Sequence, residues 1–190
     1  MTASDLEFQF GGRLSLDLTW TLRYRSVAPT DLLTTPDRLG SWVTKAVAPV
    51  SGPLTAGDLA SAVDLREAVY TGAMSRIAGK SVGRNVRSTL NNWAARPAPF
   101  SSLGSRTGTS LHLRPGAEVE SALAAVALDA VDLLSLDDGR LRMCEGPGCS
   151  LVFYDSSRPG TRRWCSTERC GNRVNTTTYR RRRAGGHPNT

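Results

Sequence analysis

Histidine is nearly missing from this chain. Among 190 residues there are two, His112 and His187, and neither lies near a cysteine or inside a nucleophile motif. No glycine-rich loop follows a strand pattern, so no phosphate cradle is indicated, and Gly11-Gly12 reads as a turn. Asp137-Asp138, followed by Gly139, reads as another turn rather than as an acid/base pair. These gaps speak against an enzyme. No apolar run approaches the roughly 20 residues that a membrane span needs. Met1 to Glu7 has neither the positive charge nor the apolar block of a secretory signal, so the expected address is cytoplasmic, without a membrane partner. Cysteine is scarce too, at four residues. In a reducing compartment these are expected as metal ligands or plain thiols rather than as disulfides.

Charge is lacking in one place and concentrated in another. From Met1 to Arg140, fourteen Lys or Arg balance fourteen Asp or Glu. Leu141 to Thr190 hold ten Arg, no Lys and only three acids (Glu145, Asp155, Glu168), so the whole net charge of +7 falls there. All four cysteines lie in the same stretch. Two units with different tasks account for this better than one uniformly basic protein. Arginine without lysine favours recognition, because the planar guanidinium fork matches phosphate oxygens and guanine edges.

Hydrophobic patterning outlines the larger unit. Leu6 to Phe10 alternates and reads as a short strand. Arg13 to Leu18 alternates again and reads as a second, with a helix start there the other option. Pro36 opens a helix with Leu39, Trp42, Val43 and Val47 on one side, stopped by Pro49. From Asp58, the positions Leu59, Ala62, Val63, Leu65, Ala68, Val69, Gly72 and Ala73 form the clearest helical stripe, ending near Gly79. Val82, Val86, Leu90 and Trp93 predict a further helix. Pro97 to Ser105 reads as loop, and Ser110 to Arg114 as a strand. A last helix carries Val119, Leu123, Val126, Ala127 and Ala130 and ends before Asp137. The expected fold is α+β: a mostly helical N-terminal domain with a small β element over residues 1–139, a zinc module over 140–183 and a disordered tail over 184–190.

Cys144, Cys149, Cys165 and Cys170 are spaced C-x4-C-x15-C-x4-C. Two close pairs joined by a short connection let four thiolates converge on one tetrahedral ion. Gly146, Pro147 and Gly148 suit the tight turn of the first claw. Leu151 to Tyr154 reads as a strand, Ser156 to Gly160 as a turn, and Ser166 or Thr167 as the N-cap of a helix reaching about Arg183. Claw, hairpin and claw at a helix start is a treble-clef layout. So small a unit buries little core and needs a metal. Iron–sulfur ligation also uses four thiolates, but turn and hairpin spacing favours zinc. With every position filled by protein, one Zn2+ would be structural.

The run Cys144-Glu145-Gly146-Pro147-Gly148-Cys149, with Phe153, Asp155-Ser156-Ser157-Arg158, Arg162-Arg163-Trp164-Cys165-Ser166 and Cys170-Gly171-Asn172-Arg173, closely resembles the CGNR zinc finger. Upstream, Gly11-Gly12-Arg13-Leu14, Leu16-Asp17, Asp31-Leu32, Leu65-Arg66-Glu67-Ala68 and Leu90-Asn91 resemble the ABATE domain usually found with it. The resemblance implies a bacterial transcription regulator with a zinc-bound, DNA-contacting end. Where that family tends to have Asn-Thr, this chain has Trp20-Thr21; a pocket lined by that Asn would be altered here.

DNA is therefore the favoured partner. Arg158, Arg162, Arg163, Arg169, Asn172, Arg173, Arg180 and Arg181 are candidate contacts for phosphates or base edges. Arg180 to Arg183 wrap around a helix, so they cannot all face one groove. A protein-interaction adaptor, using Leu151, Phe153 and Trp164, and an RNA-binding module, stacking bases on Tyr154, Trp164 and Tyr179, are the alternatives. In the neutral domain, Arg13, Asp17, Arg66 and Glu67 interrupt apolar patterns. They are candidates to line a small-molecule effector pocket, with mutual pairing of Asp17 and Arg66 the competing expectation.

Overall fold

The computed structural model of the chain describes residues 7–104 and 107–172. Its elements are mostly helical, with three short antiparallel strand pairs. In chain order they are α1 (Leu14–Thr19), β1 (Leu22–Arg23), β2 (Thr30–Asp31), α2 (Pro36–Ala46), α3 (Ala56–Ile77), α4 (Arg84–Ala94), β3 (Phe100–Leu103), β4 (Thr109–His112), α5 (Glu118–Ser135), β5 (Leu141–Met143) and β6 (Val152–Tyr154), followed by one π-helical turn over Thr167–Gly171.

Local chemistry sets the helix ends. Pro36 occupies the first turn of α2, where its missing N–H costs nothing, behind the N-cap Thr35. A reciprocal capping box opens α3: the Thr55 hydroxyl accepts from the Asp58 N–H at 3.1 Å, and the Asp58 carboxylate accepts from the Thr55 N–H at 2.8 Å. The apolar faces then meet in one core, with Leu65, Val69 and Ala73 of α3 against Val126, Ala127, Ala130 and Leu133 of α5, and Leu39, Trp42 and Val43 of α2 alongside. Gly72 lets α3 and α5 approach; a Cβ there would stand 2.7 Å from Leu134 Cδ1.

Three expectations are corrected. Arg13 to Leu18 is not a strand: Leu14–Thr19 is helix α1, with Ser15 to Thr19 all buried. A helix covered on every side needs no 3.6-residue stripe, and its polar groups find partners inside the fold. Ser15 N–H donates to Asp129 of α5 at 2.8 Å, and the Thr19 hydroxyl donates to the Leu16 carbonyl at 2.7 Å. Residues 7–10 pair with no strand among the described residues, although Phe8 is buried; Leu6 lies outside them. Phe100–Leu103, expected as loop, is a strand paired with β4 and exposed at all four positions, so no burial pattern marked it.

The β5–β6 hairpin does not stand apart from this core. Val152 is fully buried in it, and Leu141 and Tyr154 pack against it. Among the described residues, no helix is long and apolar enough to cross a membrane.

Candidate metal centre and its joint with the helical domain

The hairpin carries the first claw. β5 and β6 pair antiparallel with Met143 opposite Val152, and the Cys144 N–H continues the ladder by donating to the Leu151 carbonyl at 2.9 Å. The hairpin thus brackets Cys144 and Cys149, whereas the sequence suggested a hairpin following them. Between the two, the Cys149 N–H closes a turn on the Gly146 carbonyl at 2.9 Å, and Gly148 takes a φ of 70°, left-handed backbone that favours glycine. Gly146 is required for a second reason: a Cβ there would lie 2.9 Å from Cys170 Sγ. The second claw starts at Cys165 and ends on the π-helical turn, where Ser166 caps the Arg169 N–H and Cys170 N–H donates to the Ser166 carbonyl at 3.1 Å. Gly171 presents only hydrogen towards Trp164, whose Cδ1 would lie 3.3 Å from a Cβ. Asn172 is exposed, and Arg173 lies outside the described residues.

The four sulfurs lie within 4.8 Å of one another. Cys149 and Cys165 Sγ are 4.0 Å apart, and Cys165 and Cys170 Sγ 3.7 Å. Around a tetrahedral zinc with bonds of about 2.3 Å, sulfurs sit about 3.8 Å apart; a disulfide would need about 2.05 Å. All four are free cysteines. Three of the sulfurs also share hydrogen bonds among themselves. Hydrogen bonding from the Cys149 thiol, then from Cys165, holds Cys144 down at about 2, assisted by the Cys165 and Gly146 N–H groups. The bond to Cys144 in turn pushes Cys149 up to about 12 and Cys165 upward as well. Sulfurs this close ionise together only around a cation, and the set fits one structural zinc ion. Bound there, zinc supplies a cross-link between the two claws and leaves no open coordination position.

Asp155, fully buried, ties the returning loop. One carboxylate oxygen accepts from the Ser157 N–H at 3.0 Å and its hydroxyl at 2.6 Å, the other from the Arg162 N–H at 2.7 Å. Burial would raise its pKa, but these bonds, with the charge of Arg162, leave it below the usual carboxylate value.

The candidate nucleic-acid residues fall into three groups. Arg162 is held inside the module, donating to the Cys165 carbonyl at 3.0 Å and lying over the Phe153 ring at 5.1 Å. Arg163 pairs with Glu145 at 2.6 Å, with both side chains more than half exposed. Arg158 is exposed, and Arg169 half-buried with one guanidinium N–H unpartnered among the described residues. Arg173, Arg180 and Arg181 lie outside the described residues.

The candidate effector residues are each engaged within the fold and do not converge on one pocket. Arg13 pairs with Asp129 at 3.0 Å and Asp132 at 2.8 Å. Arg66, 2% exposed, grips both oxygens of Asp31 at 2.7 and 2.8 Å and also donates to Glu67 and Thr21. Glu67 accepts from Arg25 as well. Asp17 accepts the Gly11 N–H, and burial pushes its pKa up to about 6.

Sequence patterns did not reveal the joint between domain and metal centre. Trp20, at the family's Asn position, donates its indole N–H to the Val152 carbonyl at 2.7 Å and packs in one apolar cluster with Cys144, Cys165 and Cys170. Beside it runs a cleft of about 680 Å3 lined from both sides, by Phe8, Gln9 and Trp20 of the helical domain and by Phe153, Arg162 and Arg169 of the module. The departure at Trp20 was the one signal in the sequence that pointed here.

A helical domain seated against a four-thiolate metal module defines a zinc-finger protein. Residues 12–136 match the ABATE model, described as a putative stress-induced transcription regulator, and residues 140–183 match the CGNR zinc finger. The chain belongs to the ABATE family and carries a CGNR zinc finger at its C-terminal side. No curated protein matches the sequence.

Proposed function

We propose that this protein is a non-enzymatic, DNA-binding transcription regulator of the cytoplasm and nucleoid. In this reading a treble-clef zinc module presents the DNA contacts and the helical domain senses an effector. The observation that carries it is the pairing of a four-thiolate zinc centre with the chain's entire excess of positive charge. Between Leu141 and Asn172, five arginines face three acids, and the formal charge of about −2 on a zinc–tetrathiolate centre cancels the difference. The attraction for phosphate then rests on Arg173 and Arg180 to Arg183. That segment continues from Asn172, where the folded module ends among the described residues, and Arg158 and Arg163 are exposed on the module itself. Arg163 can exchange its exposed Glu145 partner for a phosphate at little cost. The cleft beside Trp20 is the natural effector site, since a ligand there would touch both units.

Fluorescence anisotropy with duplex DNA across a salt series tests the reading. Affinity should fall steeply with salt, and replacing Arg180 to Arg183 by Gln should flatten the log–log slope by roughly 3. Duplex RNA and single strands should bind less well. An unchanged slope in the Gln variant, or equal binding to all three nucleic acids, would overturn it.

A further inference from the structure

Gln9 and Arg169 come from opposite units and line the same cleft of about 680 Å3. Each holds one polar atom buried without a partner among the described residues, Oε1 of Gln9 and an Nη of Arg169. An acceptor and a donor left in that state cost free energy, which a ligand of complementary shape and polarity restores.

The walls around them are aromatic and firmly placed. Phe8, Phe10, Trp20 and Phe153 line the cleft, and Phe10, 44% exposed, offers ring surface to it. The stretch that carries Gln9 is pinned on both sides. Arg23 donates to the Glu7 carbonyl at 2.8 Å, the Arg38 guanidinium lies over the Phe8 ring at 4.6 Å, and the Gly11 N–H donates to Asp17. A Cβ on Gly11 would stand 2.8 Å from Trp20 Cζ2, so the backbone closes directly on the indole. Across the cleft, Ser166 caps the Arg169 N–H, and Arg162 is anchored on the Cys165 carbonyl at 3.0 Å. A site held in this way needs little ordering when a ligand enters.

The charges that line the cleft are already matched. The guanidiniums of Arg162 and Arg169 stand with the Glu168 carboxylate and with a zinc–tetrathiolate centre that includes Cys165. The formal charge of that centre is about −2. A ligand with a full charge of either sign gains little there, whereas an uncharged one can satisfy the open acceptor and donor. We propose that the cleft takes a flat, uncharged heteroaromatic of the nucleobase type, with an N–H beside a C=O on one edge. After a small turn of each side chain, the N–H donates to Gln9 Oε1 and the carbonyl accepts from Arg169. The ring lies among the aromatic side chains, which hold a base through its π-face. The inference rests on the reading of this cleft as the effector site and narrows it to one chemical class.

Isothermal titration of the zinc-loaded full chain with theophylline and with caffeine tests it. The two differ by one methyl group, which in caffeine replaces the N–H beside the carbonyl. Theophylline should bind, and caffeine should bind at least about tenfold more weakly, because Gln9 is left without its donor. Gln9→Leu and Arg169→Met should each weaken theophylline by about tenfold, with zinc content by metal analysis unchanged. Salicylate tests an anion, and indole a ring with a donor but no carbonyl. Equal binding of theophylline and caffeine, or parental affinity in Gln9→Leu, overturns the proposal, as does a lack of binding by theophylline. Tighter binding of salicylate or indole than of theophylline overturns the chemical class and leaves the effector reading standing. Theophylline binding as expected, with no change in duplex-DNA affinity at saturation, supports the chemical class and overturns the effector reading alone.

Discussion

Asp17 lies in a helix covered on every side and keeps a carboxylate there with one backbone donor, from Gly11. Its folded pKa of about 6 stands above the ordinary 3.8, chiefly through burial. The stability this group contributes is therefore fully present below pH 3.8 and is lost as pH rises through about 6. Asp17→Asn retains an acceptor for the Gly11 N–H and removes the buried charge. It should stabilise the protein at pH 7.5 by up to about 3 kcal/mol, and the advantage over the parent should vanish by pH 4 in paired thermal denaturations. Asp155 has the opposite sign. Its depressed pKa means stability that is present above the ordinary carboxylate value and lost as pH falls through the folded one. Asp155→Ala orphans the donors of Ser157 and Arg162, and should lower the melting midpoint by roughly 5 °C and speed zinc release to a chelator.

At the scale of elements, the two claws depend on how closely the hairpin turn approaches the π-helical turn. Gly146→Ala would drive a methyl group into Cys170 Sγ and should reduce zinc affinity at least about tenfold, since tetrahedral thiolate geometry leaves little slack. Far-UV circular dichroism of the helices should not change. The four ligands were legible in the sequence because a shared ion forces paired spacing. Helices α2, α3 and α5 were legible because each buries one face and leaves the other wet. α1 was not: with Ser15 to Thr19 all buried, Leu14, Leu16 and Leu18 gave only an alternation that also describes a strand. β5 has three residues and no pattern of its own, so the hairpin that brackets the first claw was invisible. The seat formed by Trp20 and Arg25 joins residues more than a hundred positions from their partners, Val152 and Ser150, and no local signal encodes such a contact.

For the whole molecule, the division of charge seen in the sequence is qualified by the metal. The described part of the finger is close to neutral once the zinc–thiolate centre is included, which leaves the arginines after Asn172 as the electrostatic handle. Removing zinc should abolish DNA binding and lower the melting temperature, while most helical circular dichroism persists, because α2 to α5 bury their faces against one another and not against the cysteines. Retention of full DNA affinity by metal-free protein would contradict the proposed role of the module as scaffold.

Val152 gives the finger a second allegiance. Its side chain belongs to the core of the helices, and its carbonyl receives the indole of Trp20. Cut out at residues 140–183, the finger would carry a bare apolar strand into water even with its zinc in place, so it is no interchangeable cassette to be grafted onto another host. Any partner chosen for it by recombination would have to bring a socket of the same shape, which binds the history of the two modules together.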